Sequence, residues 1–536
     1  MGLGKLDQSS PPDQPTSWWT VGRLAILLGG FGALAVLLTL ADPGITVDEP
    51  LDVRPGRTYL ATLRAKGWGF FDRAVIDAVY RDNAEHPPLG RWLLGIASTL
   101  GQPFEILLRG GPDPVGLYIV SGRVAPALAF GVLIVVVVVA SARQSGRMAG
   151  LASGLSLIMM PRVFAHAHLA ALDTFITLFW TLALVGFVWA VQSPRLISAV
   201  IVAGLVWGLA LLTKIHAWFL PPIALAWACS QLPIRRAVPA FLAWLGTGSL
   251  LFFVGWPWLW ADPLGRLGAY LNTGVARVPI RVLYFGTVYA DRDVPWHYPW
   301  FYFVATVPVG LLALAAWGTI RGWSNRGGRA TTSLLVGSIL LFLVLFSTKV
   351  AIYDGERLFL VAFPALAILV GRGFADVWKA GGRHRRALLL AFLAVQAQGV
   401  IRLHPFGLSY YNALVGGLPG AERLGLELTY WGDAVDGVLL DRLAGEARAD
   451  QSASLVPTLA PDQGKVATTR RLARIPLVIG DGDTASNADW LVVSRRSTYW
   501  PASVPGRLAR DSWVMVRSRQ GVWLSALLRR SNPKSP

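Results

Sequence analysis

Charged residues are scarce in this sequence. Only 15% of its 536 residues are Asp, Glu, Lys or Arg, whereas an ordinary soluble domain carries about 25%. Apolar residues make up 54% of the chain. Such a composition excludes a typical soluble enzyme and is typical of a protein whose surface largely faces lipid.

Cysteine and acidic residues are also rare. Cys229 is the only cysteine, so an intrachain disulfide and a cysteine-built zinc site are excluded. The 31 acids leave a formal net charge of +18, which often indicates nucleic-acid binding. Here the basic residues form short clusters between apolar segments, as they do in membrane proteins, and we therefore expect no nucleic-acid partner.

Long apolar segments recur along the chain and predict an α-helical polytopic membrane protein. Each is long enough, or nearly so, to cross about 30 Å of hydrocarbon. About eleven membrane-spanning helices are predicted, near 22–41, 117–140, 148–164, 172–191, 197–215, 217–232, 237–257, 300–320, 331–347, 357–372 and 387–403.

Clusters of basic residues predict the orientation of these spans. Cytoplasmic loops are enriched in Lys and Arg, and one alternating set of loops carries most of them, with clusters at 143–147, 195, 235–236, 321–329 and 372–386. The polar segment 1–20 is then cytoplasmic, and Arg23–Leu40 is a retained first span because no small-residue cleavage site follows it. An odd number of spans places the C-terminus outside a cytoplasmic membrane.

Three large pieces should therefore be extracytoplasmic. Segment 42–116 contains two amphipathic stretches, Arg57–Tyr80 and Leu89–Gly101, which we expect to lie along the interface. Segment 258–299 is rich in aromatic residues and arginine. The tail, residues 404–536, has no spanning segment and alternates helical patterns with β-rich runs, which predicts a small α/β domain after a membrane domain at 21–403. These runs are Ala453–Pro457, Ile475–Ile479 and Trp490–Ser494.

Two motifs in the first outer loop could carry chemistry. Asp48 and Glu49 directly follow the first span, where a carboxylate could act as a general base at the mouth of a membrane cavity. An ordinary solvated loop would also contain such acids. His86 and Arg91 lie in the motif His-Pro-Pro-Leu-Gly-Arg, in which the prolines favour a rigid helix start and the histidine could bind substrate.

The order and sidedness of these motifs resemble the protein O-mannosyltransferases and, more broadly, the GT-C superfamily, which includes the aminoarabinose transferases of lipid A. The resemblance covers roughly residues 23–371. The tail departs from the eukaryotic mannosyltransferases, whose extra domain sits elsewhere. Three further fragments fit the resemblance: Leu169–Thr174, Gly208–Lys214 and Gly355–Leu358.

The resemblance implies a glycosyltransferase that moves a hexosyl or pentosyl group from a polyprenyl-phosphate sugar to an outer acceptor, with inversion. Asp48 would be the base, assisted by Glu49, and cations would stabilise the departing phosphate. In the predicted topology Asp48, Lys214 and Arg357 fall at the same membrane face. The implied phosphate-binding residues are Lys214, Arg357 and Lys349, and the implied substrate-binding residues are His86, Arg91, His168 and Asp173.

Several alternatives stay open at this point. Lys214 and Arg357 could instead extend along apolar surface to the interface. His166, His168 and Asp173 could form a divalent-metal site, although packing or substrate contact is the preferred interpretation, and no metal is assigned. A transporter would show acids within spans or inverted repeats, and neither is present. An isoprenoid-binding pseudoenzyme is the other rival, and the sugar and the acceptor (protein hydroxyl, glycolipid or envelope glycan) are not specified.

Overall fold

The computed structural model describes residues 18–81, 85–109, 113, 115–273, 279–457, 463, 477–478 and 482–531. The predicted cytoplasmic tail lies almost entirely outside these residues. The N-terminal half of the chain is helical. Its helices are α1 Trp18–Leu37, α2 Asp48–Lys66, α3 Arg73–Val79, α4 Leu89–Arg109, α5 Ile119–Gly122, α6 Val124–Ser145, α7 Arg147–Met159, α8 Pro161–His166, α9 Asp173–Val191, α10 Leu196–Leu211, α11 Leu220–Gln231 and α12 Ile234–Gly255.

The second half continues with helices and two small sheets. A hairpin of β1 and β2 precedes the last spans, and the tail contains the remaining strands. The elements are α13 Pro263–Thr273, β1 Arg281–Tyr284, β2 Thr287–Ala290, α14 Tyr298–Ala305, α15 Val309–Ser324, α16 Arg329–Leu345, α17 Phe363–Ala380, α18 Arg383–Val395, α19 Gln398–Leu403, α20 Gly417–Arg423, α21 Gly437–Glu446, β3 Ala453–Val456, β4 Leu477–Val478, α22 Gly482–Asn487, β5 Trp490–Ser494, α23 Ser503–Arg510, β6 Ser512–Arg519 and β7 Val522–Arg529.

The helical segments confirm a multi-pass membrane protein. Within the part of the chain that the structure describes, seven helical segments are long and apolar enough to cross a membrane, and the bent pair α14–α15 would make an eighth. The segments, some of which join adjacent helices, are Thr20–Leu37, Ile119–Ser145, Asp173–Val191, Ile234–Gly255, Arg326–Leu345, Arg357–Ala380 and Arg383–Leu403.

The other predicted spans are shorter or broken. Helix α10 has 16 residues and is therefore about 24 Å long at 1.5 Å per residue. Helix α7 has 13 residues and α11 has 12, and the predicted span 300–320 bends by 108° between α14 and α15. Pro161 and Pro308 stand at two of these breaks, where a missing N–H favours a new helix start. The number of crossings stays a prediction.

The predicted first outer loop contains α2, α3 and α4. The predicted stretch Arg57–Tyr80 covers the second half of α2 and all of α3, and Leu89–Gly101 falls within α4, but α2 begins earlier, at Asp48. Their position along the interface stays a prediction. Helix α2 lies on α4 at very close range. A Cβ on Gly56 would come within 2.9 Å of the Gly95 backbone, and one on Gly95 within 2.2 Å of the Gly56 backbone. Only glycines permit this approach, which lets the middle of α2 pack directly on the backbone of α4.

The tail contains the predicted α/β unit. Its five-stranded sheet has the order β4-β3-β5-β7-β6. Strands β4, β3 and β5 pair in parallel, whereas β7 is antiparallel to both β5 and β6. The domain boundary at residue 404 stays a prediction, and the tail contacts the helical part of the chain there, because Arg162 in α8 donates to the Tyr410 carbonyl at 3.0 Å. The tail therefore lies directly on the membrane helices.

Candidate active site

Asp48 occupies the first turn of α2, just after the end of α1. The positive end of a helix dipole favours a carboxylate at this position. The guanidinium Nη2 of Arg357 donates to Asp48 Oδ2. The Asp48 side chain is 24% exposed, whereas that of Arg357 is 9% exposed. Asp48 therefore presents a charged oxygen to solvent at the rim of an otherwise buried ion-pair network.

Glu49 faces a different neighbour. Its carboxylate accepts hydrogen bonds from Arg123 Nε at 2.6 Å and Nη2 at 2.8 Å, and both side chains are fully buried. The backbone N–H groups of Thr46 and Ala170 also donate to it. These four bonds favour a structural role for Glu49 over the catalytic role that its sequence position suggested. Arg123 also donates to the backbone carbonyls of Leu40, Pro43 and Gly44, in the segment between α1 and α2.

Asp173 joins two of the three cations that were expected to bind phosphate. Its Oδ1 accepts from Lys214 Nζ at 2.6 Å, and its Oδ2 accepts from Arg357 Nε at 3.2 Å. Lys214 reaches this point because the chain is extended there, with φ −159° and ψ 155°, between α10 and a 3-10 turn. The structure therefore brings Asp48, Asp173, Lys214 and Arg357 into one cluster.

Asp354 extends this cluster toward the tail, and the sequence analysis missed it. Its Oδ1 accepts from Arg496 at 2.9 Å, and its Oδ2 accepts from Trp431 Nε1 at 2.5 Å and from Arg357 Nη1 at 3.4 Å. Asp354 has φ +56° and precedes Gly355 at φ +67°. An Asp-Gly pair favours such left-handed turns, so this dipeptide beside Arg357 was the available sequence signal.

Two more predicted residues lie next to the cluster. Arg91 Nε donates to Asp52 Oδ1 at 3.1 Å and thereby joins α4 to α2. Burial raises the pKa of the Asp52 carboxyl to about 6, although Arg91 opposes this effect. Burial, with help from Arg91, Lys214 and Arg357, holds the pKa of His86 well below its usual value. Burial thus favours the neutral imidazole of His86, and among the described residues its buried Nδ1 has no hydrogen-bond partner.

Two predicted residues lie elsewhere. Lys349 is at the surface, with 85% of its side chain exposed, and its nearest acid is Asp293 at 3.7 Å. His168 is buried and bonds Thr39 Oγ1 at 2.8 Å and the Phe164 carbonyl at 2.9 Å. One ring nitrogen thus joins His168 to the segment after α1, and the other bonds the backbone of α8. Among the described residues no group of three or more His, Cys, Asp or Glu side chains could hold a metal ion.

A second buried polar group supports the segment that carries Arg357. Arg162 Nη1 donates to Glu356 at 2.7 Å and to the Tyr430 hydroxyl at 3.3 Å. Its guanidinium also lies 4.8 Å from the centre of the Tyr411 ring. Because Glu356 precedes Arg357 in the chain, these contacts fix the backbone from which Arg357 extends.

Comparisons with known proteins agree with this architecture. Residues 115–260 match a family model described as dolichyl-phosphate-mannose-protein mannosyltransferase. The structure of ArnT from Cupriavidus metallidurans in the apo state has a TM-score of 0.51 at 16% identity, covering 94% of this chain and 97% of that one. An Archaeoglobus fulgidus oligosaccharyltransferase in the apo form has a TM-score of 0.47 at 12% identity, covering 95% and 75%.

A search of curated protein sequences gave no match. This protein has a fold similar to that of ArnT over nearly the whole chain, and residues 115–260 match the mannosyltransferase family model. Its fold is thus the one that the sequence motifs led us to expect.

Proposed function

We propose that this protein is a membrane glycosyltransferase that moves a sugar from a polyprenyl-phosphate sugar to an acceptor outside the cytoplasm. The observation that carries the proposal is the cluster itself. A partly exposed carboxylate, Asp48, pairs with Arg357 at the start of α2, the helix that follows α1, and Arg357 shares the Asp173 carboxylate with Lys214. A transferase acting on a lipid phosphate requires a base and phosphate-binding cations at one membrane face.

The donor class follows from the position and chemistry of the cations. Arg and Lys commonly bind phosphate, and an arginine can offer two parallel N–H groups. A phosphate on a membrane lipid stays at the headgroup level, and Arg357 pairs with Asp48, which begins the helix that follows the first predicted span. The family that matches residues 115–260 is described by a donor of this class, dolichyl-phosphate-mannose. These points support a lipid-phosphate donor without specifying the sugar.

The proposed reaction is one direct displacement. The acceptor oxygen attacks the anomeric carbon while its proton passes to the Asp48 carboxylate. The bond between the anomeric carbon and the phosphate oxygen breaks, and the phosphate leaves with the electron pair. Arg357 and Lys214 stabilise the charge that develops on this oxygen. Because the acceptor attacks from the side opposite the phosphate, the configuration inverts.

The network must rearrange when the donor binds. It contains three carboxylates, Asp48, Asp173 and Asp354, and three cations, Lys214, Arg357 and Arg496. An added phosphate competes with Asp48 for the Arg357 guanidinium, because Asp48 is the most exposed of the three acids. Donor binding would therefore release the base for the acceptor.

Neighbouring apolar space offers room for a lipid. A cavity of about 610 Å³ lies between the end of α1, α4, the start of α6 and α21. Its wall includes Pro43, Gly44 and Ile45, which immediately precede the Asp48 turn. We propose a protein hydroxyl, a glycolipid or an envelope glycan as acceptor, in the cytoplasmic membrane with the site facing outward.

The test is transfer by the purified protein in liposomes. Radiolabelled polyprenyl-phosphate mannose, glucose, arabinose and aminoarabinose would each be incubated with envelope glycolipids, glycans and peptides, and transfer of label measured. We expect at least one combination to give turnover that Asp48→Asn abolishes. Asp42→Asn is the matched control, since Asp42 lies in the same loop but pairs with His404. Donor binding without transfer by the wild type would favour the pseudoenzyme. A wild type that shows no donor binding and no transfer would contradict the proposal.

A further inference from the structure

The tail supplies two side chains that hold the phosphate-binding arginine. The indole of Trp431 lies under the Arg357 guanidinium, with 3.8 Å between the guanidinium carbon and the ring centroid. The same indole donates its N–H to Asp354, which also contacts Arg357. Arg496 donates to the other oxygen of Asp354. The carboxylate and the aromatic face that surround Arg357 are thus both fixed from the C-terminal part of the chain.

The same tail segment is bonded to the loop that leads into Asp48. The Val47 N–H donates to the Trp431 carbonyl at 3.2 Å, and the Gly44 N–H donates to the Asp433 carbonyl at 2.8 Å. Trp431 therefore touches the base side of the cluster through its backbone and the cation side through its indole. A shift of this segment would change the relative positions of Asp48 and Arg357.

Simple packing does not account for these contacts. Trp431 and Arg496 are 3% and 5% exposed, and a buried arginine is costly unless it is paired. Arg496 is held by the Asp354 carboxylate and by the Tyr430 carbonyl. Asp354 in turn occupies a left-handed backbone position that aspartate tolerates better than most residues. The turn at Asp354 is thus charged and conformationally strained, and it directly precedes the 3-10 segment that Arg357 begins. Such a turn is the pattern expected of a pre-organised site.

We propose that Trp431 and Arg496 are positioning residues that orient Asp354 and the Arg357 guanidinium for the lipid phosphate, so that the C-terminal tail completes the transferase site. This inference rests on the proposed function. Trp431 limits the guanidinium to one plane by cation–π contact. Arg496 neutralises Asp354, which would otherwise compete fully with the donor phosphate for Arg357.

The experiment compares paired variants in the full-length protein. Arg496→Met removes the charge and Arg496→Lys retains it, while Trp431→Leu removes the ring and Trp431→Phe retains a face without the N–H. Arg495→Met is the matched control, because Arg495, the residue before Arg496, pairs with Glu422 and lies over the Trp523 ring instead. Binding of radiolabelled short-chain polyprenyl phosphate is measured beside KM and kcat for the donor.

We expect Arg496→Met and Trp431→Leu to weaken polyprenyl-phosphate binding and to raise the donor KM by about tenfold, because the loss of one contact to a charged group commonly weakens binding by about this factor. The acceptor KM should change less. Arg496→Lys and Trp431→Phe should recover part of the loss, and Arg495→Met should behave as wild type.

Two results would overturn the inference. The first is that Arg496→Met and Trp431→Leu bind polyprenyl phosphate as Arg495→Met does and have the same donor KM. The other is a fall in kcat that follows only the loss of folded protein in thermal unfolding, with KM unchanged, because this would be a purely structural role. Failure of the wild type to bind polyprenyl phosphate or to transfer sugar contradicts the proposed function instead, so the two failures are distinguishable.

Discussion

The guanidinium of Arg357 donates to the carboxylate of Asp48 although the two residues lie 309 positions apart. In the proposed reaction one of them accepts a proton from the acceptor and the other binds the departing phosphate. Because the two side chains bond each other, a donor phosphate would have to displace Asp48 from Arg357. In the proposed reaction the pair would thus link donor binding to activation of the base.

The first prediction concerns Arg357→Ala and Arg357→Lys. The alanine variant should raise the donor KM by roughly 10- to 100-fold, since a charged hydrogen bond contributes about 1.5–3 kcal/mol. The lysine variant should recover only part of this, because a point charge replaces a planar fork. Acceptor KM should change little. Steady-state kinetics with each substrate varied in turn would measure this.

Lys349→Ala is the control for that experiment. Lys349 lies in the same loop as Arg357, but its side chain is 85% exposed and 3.7 Å from Asp293. We therefore expect unchanged donor kinetics. Donor kinetics that are normal in Arg357→Ala would instead indicate that Arg357 only stabilises the fold, and a strong effect of Lys349→Ala would contradict the placement of Lys349 outside the site.

The second prediction separates Asp48 from Glu49. Asp48→Asn keeps shape and polarity but cannot accept the proton, so transfer should fall by about 10²–10⁴-fold while donor binding persists. Glu49→Gln should instead lower the thermal unfolding temperature, because it leaves Arg123 buried without its full charge partner. Turnover per folded molecule is the measurement. Normal turnover in Asp48→Asn would refute the base assignment.

Much of the cluster follows from the order of the spans. Asp48, Lys214 and Arg357 stand at the ends of apolar segments, and the alternation of basic loops predicts that these ends share one face. In the structure the three side chains belong to one ion-pair cluster, in which Asp173 links Lys214 to Arg357. Sequence pattern is informative here because a membrane restricts where polar residues at span ends can lie.

Other parts of the site depend on contacts that no local pattern encodes. Arg496 reaches Asp354 across 142 positions, and this pairing is set by the docking of the tail. Consecutive helical residues do not face the same way, so adjacency could not tell whether Asp48 or Glu49 faces the cluster. Trp431 is buried like an ordinary core residue, but its indole also contacts two charged side chains, Asp354 and Arg357.

The third prediction concerns pH and Glu427. Burial raises the pKa of this carboxyl to about 7, although Arg496 opposes the effect. The folded protein therefore binds more protons than the unfolded chain between the ordinary carboxyl pKa and about pH 7, and its stability should fall as pH rises through that window. A shift of this size corresponds to at most about 3 kcal/mol.

Thermal unfolding in detergent at pH 5.0 to 7.5 measures this effect. The wild type should lose stability across the range, and Glu427→Gln should give a flatter profile because the amide does not ionise. Glu422→Gln is the matched control, since Glu422 is a partly exposed surface residue paired with Arg495. Parallel profiles for wild type and Glu427→Gln would show that Glu427 is ionised throughout this range.

The last prediction places the tail on the same side of the membrane as Asp48. Backbone hydrogen bonds join Gly44 and Val47, just after α1, to Asp433 and Trp431 in the tail. These bonds cannot form across a bilayer, so the tail must lie where the first span ends. With the N-terminus cytoplasmic, as the basic loops predict, that side is the outside. A periplasmically active reporter fused after Pro536 should therefore function, and a cytoplasmic reporter at the same place should not. The same reporters fused after Arg23, before most of the first span, should give the reverse pattern. Cytoplasmic activity at Pro536 together with outer activity at Arg23 would invert the whole orientation, whereas cytoplasmic activity at both positions would contradict the contact between the tail and the Asp48 loop.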